Sequence, residues 1–183
     1  MGWQRRARPL LGTLVEIGVP AGHDAAAGFA AIEAVQRRLS RFEPASDIAR
    51  FNALAPNHTL DVQPDTADVL AFALALQTRS GGAFDISLGS GPDAWALHEH
   101  RLRKHHPDVR IDLGGLGKGH AVDRAVHALQ AAGIAHGWVN AGGDLRVFGE
   151  VELPVRLRDE AQGGAAAFMH LSDGALATSH YAA

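Results

Sequence analysis

The chain has 183 residues, of which 46% are hydrophobic and 20% are charged, and its formal net charge is −3. This composition is that of an ordinary soluble globular protein, long enough for one core or for two small subdomains that share one. The absence of cysteine excludes disulfides, thiolate metal sites and a cysteine nucleophile, and the slightly acidic charge gives no support to nucleic-acid binding.

Neither an export signal nor a membrane span is evident in the sequence. The first residues include several arginines, but no apolar run of signal-peptide length follows them. No stretch approaches the ~20 apolar residues that a transmembrane helix needs. We therefore expect the chain, as given, to be cytoplasmic and to have no transmembrane segment.

The first half of the chain predicts alternating strands and helices. Apolar residues recur at every second position in the strand segments and at intervals of three and four in the helical ones. Capping side chains or proline mark where the helices begin, and proline or glycine marks where they end. The last helix is apolar on most sides, so we expect it to lie centrally in the core. The elements are, in order, a strand at Leu11–Val19, a helix from Asp24 to about Phe42, a short helix from Ser46 after Pro44, a strand at Thr59–Gln63, and a helix from Pro64 to Gly81.

Residues 83–110 combine a predicted strand with a polar segment. Ala83–Leu88 predicts a strand with Asp85 at its centre, where a carboxylate is costly unless it is paired or faces a ligand. Residues 89–110 are polar, and we expect a loose loop there. The histidines of this loop are irregularly spaced among lysine and arginine, which favours a solvated loop over a metal site. They are His98, His100, His105 and His106.

The segment Ile111–Arg124, with the sequence IDLGGLGKGHAVDR, organises the rest of the chain. An apolar strand end passes into four glycines within six positions, Lys118 lies among them, and a helix to about Ala132 follows. Glycine lets the backbone turn tightly and approach a ligand, and a helix start offers unpaired N–H groups and a partial positive charge. The segment therefore predicts an anion-binding turn, and the alternative is a close-packed turn with a solvated lysine.

Two common phosphate-binding motifs do not describe this turn. A Walker A loop needs glycine six residues before the lysine and Ser or Thr after it, but Asp112 and Gly119 stand there. The dinucleotide fingerprint needs a third glycine where His120 stands. In the helix that follows, we expect Asp123 to be a surface acid paired with Arg124 or His127.

The last third of the chain predicts short strands separated by glycine-containing turns. Hairpin-like strands gathered late in the chain favour an α+β fold with mixed, largely antiparallel sheets packed with helices over a doubly wound parallel sheet. The predicted strands are Gly137–Asn140, Leu145–Gly149, Leu153–Arg158, Ala165–Leu171 and Ala175–Thr178, with turns at Gly142-Gly143, Gly163-Gly164 and Asp173-Gly174.

Six ordered segments resemble the motifs of the FAD:protein FMN transferase (ApbE) family. They are LGTLVEI, LSRFEPASDIARFN, SGGAFDIS, IDLGGLGKGHAVDRAVHALQAAGI, WVNAGGDLRVFG and ALATSHY. The resemblance runs from Leu11 to Tyr181, and six segments in the family's order carry far more weight than one. It implies a single ApbE-like domain over residues 1–183 with an α+β fold.

The resemblance implies an enzyme that binds FAD and, with Mg²⁺, splits its diphosphate. The FMN half is then transferred to a threonine or serine hydroxyl of a target flavoprotein, such as a redox or electron-transfer protein. Such phosphoryl transfer needs positioning, a metal that bridges phosphate oxygens, and a cation against developing charge. Many members of the family are periplasmic or membrane-anchored.

The resemblance also implies roles for individual residues. Leu11 and Phe42 stand where the family usually has a methionine and a tyrosine beside the cofactor, and Gly115 would lend its carbonyl to the metal. Thr178 and Ser179 are weaker candidates for a polar contact. The remaining cofactor-binding candidates are Ala83, Phe84, Asp85, Asp112 and Lys118, and the pocket wall would include Asn140, Gly142, Gly143 and Asp144. The alternatives are structural: Asp112 as a strand-end or capping residue, and the phenylalanines as core.

The sequence departs from the family pattern in two places. The region between SGGAFDIS and IDLGG is shorter than usual, and the chain stops at Ala183. We therefore expect a C-terminally truncated domain, because the family's catalytic histidine and magnesium ligands lie in H-x-x-D-P and A-D-A-(L/x)-(S/T)-T segments further on. No catalytic residue is identified within the chain. The hypotheses are a transferase given in truncated form, a silent FAD-binding remnant or subunit completed by another chain, and a phosphate-binding scaffold unrelated to flavins.

Overall fold

Helices and strands are mixed as far as residue 131 and only strands follow in the computed structural model, which describes residues 2–158 and 164–178. A short 3-10 helix at Pro92–Ala94 precedes the fourth strand. The elements are β1 Trp3–Leu10, β2 Thr13–Pro20, α1 Ala26–Leu39, α2 Asp47–Ala53, β3 Thr59–Asp61, α3 Pro64–Arg79, β4 Trp95–His98, β5 Arg101–Lys104, α4 Gly117–Ala131, β6 Gly137–Ala141, β7 Asp144–Phe148, β8 Glu152–Arg158, β9 Ala165–Ser172 and β10 Ala175–Leu176.

The chain divides into two compact units. One comprises Met1–Ile32 and Ala121–Ala183, and the other comprises Glu33–His120. In the first unit a five-stranded sheet has the order β1-β2-β6-β7-β10, and β8 pairs with β9 in a separate hairpin. In the second unit a three-stranded sheet has the order β3-β5-β4. Every strand pair described is antiparallel, which confirms the predicted α+β fold with largely antiparallel sheets.

The core of the first unit lies between the five-stranded sheet and the helices. Val15, Ile17 and Val19 of β2 are buried on one face, as their alternation predicts. A Cβ at Gly28 of α1 would lie 2.8 Å from the Ile17 side chain and 3.2 Å from Leu129 of α4. The absence of a side chain at Gly28 therefore lets α1 pack closely against both β2 and α4.

The N-terminal strand β1 was not predicted from the sequence. It pairs along its full length with β2 through a two-residue turn at Leu11-Gly12, where φ is 56° and 71°. Left-handed conformations at both turn residues match the twist of an antiparallel hairpin. Leu11 therefore lies at the tip of a hairpin and not within a strand.

The predicted helix starts are confirmed, but the predicted burial of α3 is wrong. The Asp24 carboxylate accepts a hydrogen bond from the Ala26 amide at 3.1 Å, and the Ser46 hydroxyl caps α2 by accepting one from the Ala49 amide at 2.9 Å. The expectation that α3 is central to the core is wrong, because Phe72 on this helix is 58% exposed. Only one face of α3 is buried, formed by Thr66, Ala67, Val69, Leu70 and Ala73.

Three predictions within residues 83–113 are wrong. Residues 89–110 are not a loose loop, because they include the hairpin β4–β5 with Trp95 and Leu102 buried. Ala83–Leu88 forms bends and a turn instead of a strand. Residues 111–113 belong to none of the described sheets.

In the described part of the chain, no helix is both long and apolar enough to cross a membrane.

Candidate functional site

The glycine turn of the second unit is built on the start of α4. The amides of Leu116 and Gly117 donate to the Leu113 carbonyl at 2.9 and 2.6 Å, and His120 donates to Leu116 at 2.9 Å. This tight turn carries the chain from Leu113 directly into the helix. In the described chain, no hydrogen bond is assigned to the amides of Gly115 and Gly119. Those two donors suit an anion at the helix start.

The four glycines of this turn differ in how much space surrounds them. None of them has a positive φ, so each position tolerates an L-residue conformationally. A Cβ at Gly117 or at Gly119 would meet nothing within 4 Å. A Cβ at Gly115 would lie 3.2 Å from the Phe84 ring. Gly117 and Gly119 therefore leave open space over a helix start that also carries Lys118.

Asp112 stands before the turn and is held by a charged neighbour. Its carboxylate lies 3.2 Å from the Arg41 guanidinium and accepts a hydrogen bond from the Gly114 amide at 2.9 Å. The same guanidinium stacks 4.6 Å from the centre of the Phe42 ring. Phe42 is 79% exposed, so its interpretation as a core residue is wrong, and a bulky apolar ring remains accessible near Asp112.

The turn at residues 83–89 is organised by the Asp85 carboxylate. One oxygen accepts from the Ser87 amide at 2.8 Å and the Ser87 hydroxyl at 2.6 Å, and the other accepts from the Gly89 amide at 2.8 Å. Burial raises the pKa of Asp85, but these three hydrogen bonds together outweigh it and hold the pKa below its ordinary value. The cost of placing a carboxylate between apolar residues is thus met locally, and one acceptor direction remains for a ligand.

The two turns are adjacent. The Asp112 amide donates to the Ile86 carbonyl at 2.8 Å, and the Phe84 ring packs against the backbone of Gly115. Phe84 is itself fixed through its amide, which donates to the Ser80 hydroxyl at 3.0 Å. The structure therefore brings Ala83, Phe84 and Asp85 beside Asp112 and Gly115, with Lys118 one turn further along the chain.

Sequence reasoning missed the polar groups that support this region. The Asn52 side-chain amide donates to the Ile111 carbonyl at 2.9 Å and accepts from the Ile111 amide at 2.8 Å. The Asn52 carbonyl accepts from the Lys104 ammonium at 2.9 Å. Asp65, at the start of α3, lies 3.5 Å from His120 and 3.6 Å from Arg38. These pairs link residues far apart in the chain. Asn52 ends the LSRFEPASDIARFN segment, but the segment does not indicate which residues it contacts.

The other predicted site residues belong to the first unit. Leu11 lies at the tip of the β1–β2 hairpin, and the Gly142-Gly143 turn joins β6 to β7. The Asn140 side chain accepts a hydrogen bond from the Gly143 amide at 3.0 Å, and Thr178 donates to the Gly143 carbonyl at 3.4 Å. Asp144 begins β7. Ser179, Tyr181 and the turn residue Gly163 lie outside the described residues.

One expected ion pair differs from the prediction. Asp123 of α4 pairs with Arg146 of β7, and not with its helical neighbours Arg124 or His127. The pair therefore ties a helix to a strand of the same unit. Sequence spacing along a helix predicts only partners within the same helix, so it could not predict a partner on a strand.

The described residues do not by themselves form a magnesium site. Mg²⁺ prefers near-octahedral oxygen ligation that includes one or two carboxylates. No group of three or more histidine, cysteine or acidic side chains suited to a metal occurs within residues 2–158 and 164–178. The nearest carboxylate in sequence to Gly115, that of Asp112, is engaged with Arg41 and the Gly114 amide. A magnesium ion held by the Gly115 carbonyl would need further oxygen ligands.

Comparison with known sequences identifies one family. The model of the ApbE family matches residues 11–102 and 96–181. An FAD:protein FMN transferase from Rhodobacter capsulatus is 29% identical over 178 residues, which cover 77% of this chain and 34% of that protein. One from Vibrio cholerae is 25% identical over 147 residues, which cover 64% of this chain and 44% of that protein. The chain thus spans between about a third and a half of the length of these relatives.

Solved structures show the same fold. The crystal structure of the ApbE protein from Thermotoga maritima has a TM-score of 0.87 and 25% identity, and the match covers 97% of this chain and 70% of that one. The apo flavinyl transferase ApbE from Pseudomonas stutzeri has a TM-score of 0.78 and 20% identity, with coverage of 93% and 66%. The similarity extends over both units of this chain.

Proposed function

The chain belongs to the ApbE family, and from this premise we propose that it acts in protein flavinylation as an FAD:protein FMN transferase. FAD is the substrate, and its diphosphate binds at the glycine turn that precedes α4. The observation that carries the proposal is the open space over Gly117 and Gly119, at a helix start that also bears Lys118. A phosphate in this space would meet backbone donors, a helix N-terminus and a positive side chain.

In the proposed reaction, the hydroxyl oxygen of a threonine or serine in a target flavoprotein attacks the phosphorus of the FMN half of FAD. The bond from that phosphorus to the bridging diphosphate oxygen breaks, AMP leaves, and the hydroxyl proton passes to a base. The residues of this chain bind and orient the diphosphate, which is most of what catalysis of phosphoryl transfer requires. Asp85 and the exposed ring of Phe42 offer contacts for the nucleoside and flavin parts.

We propose that the reaction uses magnesium, for which the described residues supply only part of a binding site. When bound, it would neutralise the charge on the diphosphate oxygens. The Gly115 carbonyl is the ligand that we assign to this chain. No role of Lys118, Asp85 or the glycine turn in the proposal depends on the metal.

A second candidate is an FAD-binding remnant or subunit that is silent until another chain completes its site. The observation that favours it is the lack of a metal-ligating cluster among the described residues. Both candidates predict FAD binding at the same turn. They differ in whether the chain alone transfers FMN.

The test is incubation of the chain with FAD, Mg²⁺ and a flavodomain that bears an acceptor threonine. Flavin fluorescence on the acceptor in a denaturing gel, absent when that threonine is replaced by alanine, would support the transferase. FAD binding without labelling would support the silent subunit instead. Failure to bind FAD would contradict both and leave a phosphate-binding scaffold unrelated to flavins.

A further inference from the structure

Lys104 is a buried lysine that the proposed chemistry does not use. It lies at the end of β5 and is 1% exposed, and both of its backbone groups are held, by the His58 carbonyl at 3.1 Å and the Asn57 amide at 2.7 Å. Its ammonium donates to the Asn52 carbonyl at 2.9 Å and lies 5.7 Å from the centre of the Phe51 ring. Burying a charge is costly, so its retention at this position needs a reason.

The partner of Lys104 holds the backbone that leads to the glycine turn. Asn52 lies in the last turn of α2, where carbonyls have no partner within the helix, and its carbonyl takes the ammonium. The side chain of the same residue makes two hydrogen bonds to the backbone of Ile111, one to its carbonyl and one from its amide. Asn52 thus connects a fixed ammonium to the residue before Asp112.

The segment that leads into the turn has little other backbone support. Ile111 is in none of the described sheets, and the adjacent Asp112 amide donates to the Ile86 carbonyl in the neighbouring turn. The two bonds from Asn52 therefore replace those that a neighbouring strand would supply. A shift of Asn52 would be transmitted to Ile111 and, through the three-residue run to Gly114, to the turn.

We infer that Lys104 and Asn52 form a positioning pair that sets the backbone of residues 111–117, with Lys104 fixing α2 and Asn52 fixing Ile111. The importance of this pair for a cofactor rests on the proposed function, whereas its effect on the turn does not. Burial lowers the pKa of Lys104, Arg110 lowers it further and Asp108 opposes them. Because Lys104 is buried, the hydrogen bond from its ammonium to the Asn52 carbonyl is shielded from water.

The first test is an amide spectrum of the ligand-free protein with Lys104→Met, which keeps the volume and removes the charged donor. We expect the Ile111 and Gly114 amide signals to shift clearly. The control is Leu102→Val, a change at a buried position of the same strand that has no described contact with Asn52. Unchanged Ile111 and Gly114 signals, or equal shifts in the control, would overturn the inference. Lys104→Gln gives the same readout if the methionine variant does not fold.

The second test measures FAD affinity. Because a misplaced turn binds its ligand poorly, we expect Lys104→Met to weaken binding about tenfold and Leu102→Val to leave it within about twofold. Asn52→Asp, which turns a donor toward the Ile111 carbonyl into an acceptor, should weaken binding at least as much. The double variant should bind no worse than Asn52→Asp alone, because the two residues act in series.

The two tests separate the failure of this inference from that of the proposed function. If the unchanged protein does not bind FAD, the proposed function is wrong, and the amide spectra alone decide whether Lys104 sets the turn. If the unchanged protein binds FAD and Lys104→Met binds it equally well, the positioning pair is overturned while the proposed function stands. Additive effects in the double variant would also overturn it.

Discussion

Two glycine-containing turns, residues 114–119 in one unit and Gly142-Gly143 in the other, use the same residue type for different physical reasons. Gly142 and Gly143 have φ values of 60° and 102°, and a Cβ at either would overlap a threonine hydroxyl, of Thr13 or Thr178. In the other turn no glycine has a positive φ, and two of the four face open space. The comparison teaches that glycine required by the fold and glycine left open for a ligand differ in conformation and in crowding.

The largest effect on stability should come from Gly142→Ala. A left-handed alanine and the overlap with Thr13 together should lower the free energy of unfolding by roughly 2–3 kcal/mol. Gly12→Ala is the matched control, because φ at Gly12 is 71° and a Cβ there meets nothing within 4 Å. It should cost only about 1 kcal/mol. Equal losses in chemical denaturation would mean that crowding does not distinguish the turns.

Gly119→Ala probes the open turn and should affect binding instead of stability. Alanine is preferred over glycine inside a helix by about 0.5–1 kcal/mol, so the free energy of unfolding should rise slightly. FAD affinity should fall by about tenfold, since a methyl group would occupy space that the diphosphate needs. Calorimetric titration and thermal melting of the same sample give both numbers. A destabilised variant, or one that binds FAD normally, would remove the distinction between the two turns.

Asp85→Asn tests a third turn, which is closed by a side chain and not by glycine. Replacing the carboxylate weakens three hydrogen bonds and should cost about 1 kcal/mol at neutral pH. Because the pKa of Asp85 is lowered on folding, its stabilisation is present above the ordinary value of 3.8 and is lost as the pH falls below it. The difference between the variant and the unchanged protein in denaturant melts should therefore shrink in acid.

The same variant shows whether Asp85 also binds the cofactor. An exposed acid on α3, Asp68, supplies the control Asp68→Asn. If the carboxylate only closes its turn, FAD affinity per folded molecule should match that of the control. A further loss of affinity in Asp85→Asn alone would place Asp85 in the binding site, as the family resemblance implies.

Local sequence signals predicted the parts of the fold that local interactions determine. The cap at Ser46, the end of α4 before Gly133 and the hairpin strands of the last third all follow from side chains within a few residues. The prediction of a strand at Ala83–Leu88 failed because the Asp85 carboxylate accepts hydrogen bonds from the amides of Ser87 and Gly89. Such local side-chain bonds compete with the backbone pairing of a strand.

Long-range contacts explain what the sequence could not predict about the site. The resemblance implied that Phe84, Asp112 and Gly115 belong to one site, which stays a prediction, and the structure places them near one another. The Asn52–Ile111 bonds span 59 residues and leave no periodic signal. The β4–β5 hairpin was missed because its turn at Glu99-His100 lacks glycine, although Glu99 adopts a φ of 52°. The signal available was the alternation of buried Trp95 and partly buried Leu97 with the exposed residues Ala96 and His98.

The smallest effect should come from Lys118→Gln, which removes charge from the open turn without adding bulk. Coulomb attraction between a partly solvated ammonium and a diphosphate is modest, so FAD affinity should fall by about threefold to fivefold at low salt. The loss should diminish as salt rises, because screening weakens only the charged contact. Arg103→Gln is the control, since Arg103 is exposed on β5 of the same unit. If both variants lose affinity equally, Lys118 acts through net charge alone, and backbone donors and open space are then the only features that suit the turn to a phosphate.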